Sequence, residues 1–187
     1  MGSGTGRMAW IAGAVLTLAT SARAADEPTL VVHLTDYEHV APKELAEAET
    51  LVAAVYERIG VRLIWTSGSA RLAPPDGHLH VDLLILDLAM TAADKPGNGV
   101  VGTGSHTAKR AAIFYPRVLT QAIRSQDRPA RALGLTVAHE LGHVVLPEYS
   151  HSPSGLMRAE WDGHIGTIPD FLSFQAVIVR NTLANQK

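Results

Sequence analysis

The chain carries His139-Glu140-Leu141-Gly142-His143 within an apolar run. On a helix, residues four apart lie one turn above each other on one face, about 5–6 Å between β-carbons, so both imidazoles can reach one ion. Glu140 beside them is the catalytic candidate, placed to hold a water on that ion and take its proton as the general base of metal-assisted hydrolysis. The chain has no cysteine, which excludes disulfides, thiolate zinc sites and cysteine nucleophiles and leaves His, Asp, Glu or water as ligands. A catalytic zinc normally takes three protein ligands and keeps one open position. His151 is the expected third ligand: it lies eight residues past His143, beyond the helix stop at Pro147, in the loop Glu148-Tyr149-Ser150-His151-Ser152-Pro153. Glu160, Asp162 and His164 compete for that place, although Gly163 and Gly166 argue against a regular helix around them. Flanked by Leu133, Leu135, Val137, Ala138, Leu141, Val144 and Val145, the helix is apolar on nearly every face and must be largely buried. Three ionisable groups in such a helix need partners, and Zn²⁺ would supply one for both histidines.

Other polar residues read more plainly. His78 and His80 alternate at the start of a strand and face one side of a sheet, but no third ligand stands near them in sequence; His33, His39 and His106 are read as structural in the same way. Tyr149 can donate its hydroxyl to a carbonyl oxygen. Trp161 and Arg158 are expected to pack beneath the turn at Met157, and Glu44, Glu47 and Glu49 to form the solvated face of a helix.

The elements that must position these groups follow from patterning. Thr29–Leu34 and Val61–Thr66 read as strands flanking an amphipathic helix from Pro42 that stops at Gly60, a unit that favours a parallel pair. His80–Ala89 is a third, central strand, and residues 67–77 form a loop rich in Ser, Gly and Pro. Two short strands, Val100–Gly102 and Ala111–Tyr115, are expected as antiparallel neighbours at a sheet edge. A long helix from about Arg128 to Leu146 and a last one from Pro169 to about Ala184 complete the order. The expectation is an α+β fold: a twisted mixed sheet of about five strands with an antiparallel edge strand, one long site-bearing helix and a C-terminal helix.

Arg7, the apolar stretch Met8–Ala19 and Ala22-Arg23-Ala24 have the order of a secretory signal peptide cleaved after Ala24, leaving residues 25–187 as a single domain. Cleavage removes two arginines from a chain of formal net charge −2 and leaves −4. No basic field then marks a nucleic-acid or membrane partner. With 47% hydrophobic and 18% charged residues in 187, the chain is long enough for one packed core.

His139-Glu140-Leu141-Gly142-His143, followed by His151-Ser152 and Gly155-Leu156-Met157, resembles the site of the zincin metallopeptidases, and most closely the metzincin branch with its matrixin-type His-Ser and Leu-Met signature. The resemblance covers about Ala138 to Trp161. It implies a zincin-like fold and Zn²⁺ held by His139, His143 and His151. It also implies Glu140 as base and Met157 in a tight turn beneath the metal. Two positions depart from the pattern: Leu146 stands where that branch has glycine, and His151 comes two residues late. The function expected is that of a secreted or periplasmic zinc metalloendopeptidase, monomeric, acting on a peptide or protein substrate. The alternative is a non-hydrolytic zinc-binding interaction domain of zincin fold.

Overall fold

A computed structural model describes residues 27–159 and 167–186. Residues 1–24, expected to be a signal peptide, and the ligand and packing candidates Glu160, Trp161, Asp162 and His164 lie outside the described residues. Five strands, β1 (Thr29–Asp36), β2 (Arg62–Thr66), β3 (Leu79–Leu86), β4 (Gly102–Ser105) and β5 (Arg110–Phe114), form one sheet in the order β2-β1-β3-β5-β4. All neighbours are parallel except β4, which runs antiparallel to β5 at the edge. The helices are α1 (Pro42–Glu57), α2 (Leu88–Asp94), α3 (Tyr115–Ser125), α4 (Pro129–Val145) and α5 (Ser173–Ala184). The fold is therefore α+β with a five-stranded mixed sheet. Among the described residues, no helix is long and apolar enough to cross a membrane.

Alternation along the strands decides what each sheet face does. Leu30 and Val32 of β1, with Val81, Leu83 and Ile85 of β3, join the core formed with α1 and α4, whereas Val31, His33 and His80 point to the other face. β1 ends where the Asp36 carboxylate accepts the backbone N–H groups of Glu38, His39 and Val40 at 2.8–3.1 Å, a turn in which His39 takes a left-handed conformation. α1 starts with Pro42 in its first turn and buries Ala48, Val52, Val55 and Tyr56. Its main partner is α4, reached through Gly134, where a β-carbon would lie 3.0 Å from the Ala48 carbonyl.

Several boundaries differ from the sequence reading, four of them in ways that bear on the architecture. The apolar run at 80–89 is divided: Asp87 caps α2 by accepting from the Met90 N–H at 2.7 Å, so the strand stops at Leu86. Tyr115, expected at the end of a strand, instead begins α3, whose Pro116 sits in its first turn and whose Val118 and Ala122 face inward. The edge strand starts at Gly102 rather than Val100, and the last helix at Ser173 rather than Pro169. The acids of α1 are not a free solvated face either. Glu44 accepts the Tyr115 hydroxyl at 2.6 Å and Glu47 pairs with Arg128, so they fasten α3 and the start of α4 to α1.

Candidate metal centre

α4 is buried along most of its length because α1, α3, α5 and strands β4 and β5 all pack against it. One turn of this helix carries His139 and His143, with their Nε2 atoms 3.1 Å apart. At Leu146 the backbone becomes extended ahead of Pro147, and the chain turns through Tyr149 in a left-handed conformation. That turn brings the Nε2 atom of His151 to 3.0 Å from that of His143. Among the described residues, His139, His143 and His151 are the group with ligand atoms close enough to hold one metal ion, all within 4.8 Å of one another.

The donor set fits such an ion. His139 donates its Nδ1 proton to the Leu156 carbonyl at 2.8 Å, which leaves a lone pair on Nε2. His143 is held through Nδ1 by the Ser150 hydroxyl at 3.1 Å, and its Nε2 faces the same point. The Nε2 atoms face each other at 3.0–3.1 Å, so each contact needs a proton or a metal cation between the two nitrogens. An ion held at zinc–imidazole distances would separate neighbouring nitrogens by about 3.3 Å, so the two short pairs would open slightly and the widest pair, within 4.8 Å, would close. Burial pushes both His139 and His143 down to about 4, so they are neutral ligands near pH 7. His151 is exposed, which leaves that side of the cluster open to solvent.

Glu140 is buried beside the ligands and, with burial as the cause, its carboxyl is pushed up to about 8. The edge strand forms its wall. A β-carbon on Gly102 would lie 2.7 Å from Glu140 Cγ, and one on Gly104 would lie 2.2 Å from the Glu140 carbonyl oxygen. Only glycine lets the strand come this close to the helix. At the far end of β4, His106 bonds through Nδ1 to the Val144 carbonyl at 2.8 Å, one of the helix's unpaired terminal acceptors. No protein-family model and no curated protein matches this chain.

Beneath the cluster, Met157 is fully buried against Gly142, where a β-carbon would lie 2.4 Å from its sulfur. Its turn is closed by Ser152 N–H donating to the Met157 carbonyl at 2.8 Å and by Leu156 N–H donating to Asp170, itself paired with Arg58 at the end of α1. Met157 is thus packed on the helix that carries His139 and His143.

Other sequence candidates sit elsewhere. His33 and His80 meet each other on the outer sheet face, and His106 caps α4. Tyr149 is 98% exposed. The Arg158 backbone bridges to Ser152. Two residues that shape the site escaped sequence reasoning: Gly104 and Gln175 of α5. The alternate glycines of Gly102-Thr103-Gly104 are a signal for close backbone approach, whereas nothing around Gln175 distinguishes it.

Proposed function

We propose that the protein is an exported zinc-dependent peptidase of zincin-like, metzincin-related fold, with His139, His143 and His151 holding Zn²⁺ and Glu140 as general base. The observation that carries this reading is the convergence of three imidazole Nε2 atoms from α4 and the loop after it, with a buried carboxylate on the same helix. Met157 packed under Gly142 supports the metzincin relation. When bound, the ion supplies Lewis acidity, polarising a peptide carbonyl and making water nucleophilic near neutral pH. Burial alone holds the Glu140 carboxyl at about 8, and a cation beside it favours the charged form, in which Glu140 accepts the proton of the attacking water and passes it to the departing amine. His139 and His143 remain neutral in the working pH range because burial lowers them. The exposed flank at His151 is the approach for a peptide or protein substrate.

Replacing Glu140 with Gln tests the mechanism. Hydrolysis of a broad peptide library should fall by about 10²–10⁴-fold, the usual contribution of a positioned base, while one zinc per chain is retained by mass spectrometry. Wild-type cleavage by E140Q would sink the reading. The alternative, a non-hydrolytic zinc-binding interaction domain of the same fold, is favoured by Leu146 in place of glycine and the longer loop to His151. It predicts one zinc per wild-type chain with no cleavage. Export predicts a mature chain beginning at Ala25.

A further inference from the structure

The three histidines are not held alike. His139 is oriented by the Leu156 carbonyl and His143 by the Ser150 hydroxyl, both through the ring nitrogen opposite the cluster. Among the described residues, the His151 ring bonds only toward its fellow histidines, so its position depends on the backbone on either side of it. That backbone is gripped by one side chain. Gln175, in the first turn of α5 and 1% exposed, uses its Nε2 to donate to the Ser150 carbonyl at 3.0 Å and to the Ser152 hydroxyl at 3.3 Å. Its Oε1 accepts the Leu172 N–H at 3.1 Å, which fixes the amide's orientation and closes the start of α5.

We infer that Gln175 is the positioning residue for the third metal ligand, tying His151 to α5 by bonding the residues immediately before and after it. This rests on the metal reading of the three histidines. A glutamine amide suits the task because its two N–H donors diverge to reach two acceptors while its oxygen is anchored elsewhere. Ser150 doubles the effect: its carbonyl is held by Gln175 and its hydroxyl by His143, so both ligand histidines share one support.

The test compares zinc affinity, by chelator competition, for full-length wild type, Gln175→Met and His151→Ala, together with the visible bands of the Co²⁺-loaded forms. Gln175→Met should bind one zinc about 10–100-fold more weakly, the range for loss of an outer support. Its Co²⁺ bands at saturation should shift toward those of His151→Ala, a change that lower stability alone would not cause. If Gln175→Met fails to fold, Gln175→Glu keeps the Leu172 acceptor while removing the donors, and the same weakening is expected. Wild-type affinity and bands in either soluble variant, with His151→Ala impaired, would overturn the role of Gln175 and leave the metal site standing. Absence of zinc from the wild type would overturn the metal reading itself, and this inference with it.

Discussion

Two histidine clusters lie on opposite sides of this sheet, and they use their nitrogens differently. In α4 and its following loop, Nε2 atoms of three rings point at one another while Nδ1 atoms of His139 and His143 are engaged behind them. On the outer face, His33 Nε2 meets His80 Nδ1 at 2.8 Å and His80 Nε2 meets Asp76 at 3.0 Å. The carboxylate accepts from His80, which leaves His80 Nδ1 to accept from His33, so the outer cluster is a directed chain in which donors meet acceptors. Its one loose end is the buried Nδ1 of His33. The outer chain gives each contact a donor and an acceptor, whereas three Nε2 atoms converging on one point are an arrangement that a single cation can satisfy.

The sharpest way to break this contrast is to delete one histidine from each cluster. His139→Ala should reduce bound metal from one ion per chain to background, whereas His80→Ala should leave it at one; metal analysis of both proteins decides. Equal metal contents would mean that the distinction between the clusters is false.

A second test leaves the histidines intact. Gly104→Ala drives a β-carbon into the Glu140 carbonyl and the His143 side chain, and overpacking of this kind costs about 1–3 kcal/mol. Thermal melting should show that loss together with weaker metal binding. An alanine variant with unchanged melting and affinity would mean that the edge strand does not set the position of the helix.

Removing the acceptor in the outer cluster is expected to cost about 1–3 kcal/mol, because His80→Ala leaves the His33 N–H buried without a partner. Chemical unfolding measures it, and a stability equal to wild type would show that the chain of bonds contributes nothing.

The smallest effect is in the pH dependence of the metal-free protein. His139 and His143 are lowered from 6.5 to about 4, so their neutral burial contributes stability above pH 6.5 that is lost as pH falls through about 4. Glu140 is raised from 4.5 to about 8, so its contribution is present below 4.5 and is lost as pH rises through about 8. Melting of the chelator-treated protein should therefore decline on both sides, and added zinc should lessen the alkaline decline because a cation favours the charged carboxylate. An alkaline decline unaffected by zinc would separate Glu140 from the ion.

Much of this was legible from local pattern. The i, i+4 spacing of His139 and His143, the Pro147 stop, the Pro42 start and the alternation in 29–34 are properties of a few adjacent residues, so they survive without knowledge of the fold. Two of the misplaced boundaries share a cause: Asp87 and Pro116 are weak punctuation inside apolar stretches, and continuous apolar sequence does not distinguish a buried strand from a buried helix turn. Glu44 and Glu47 misled for another reason, since a helix face rich in acids is solvated only if nothing basic or hydroxylic is folded onto it.

The sequence by itself determined that His139, Glu140 and His143 stand together on one turn of helix, because helix geometry places them so whatever surrounds them. Only the tertiary structure decided the rest: that His151 closes the cluster, that Gly102 and Gly104 let an edge strand press on the base, and that Gln175 grips the loop from a helix more than twenty residues away. Those relations depend on how far apart elements lie after packing, and spacing along the chain carries no such distance once the chain has turned.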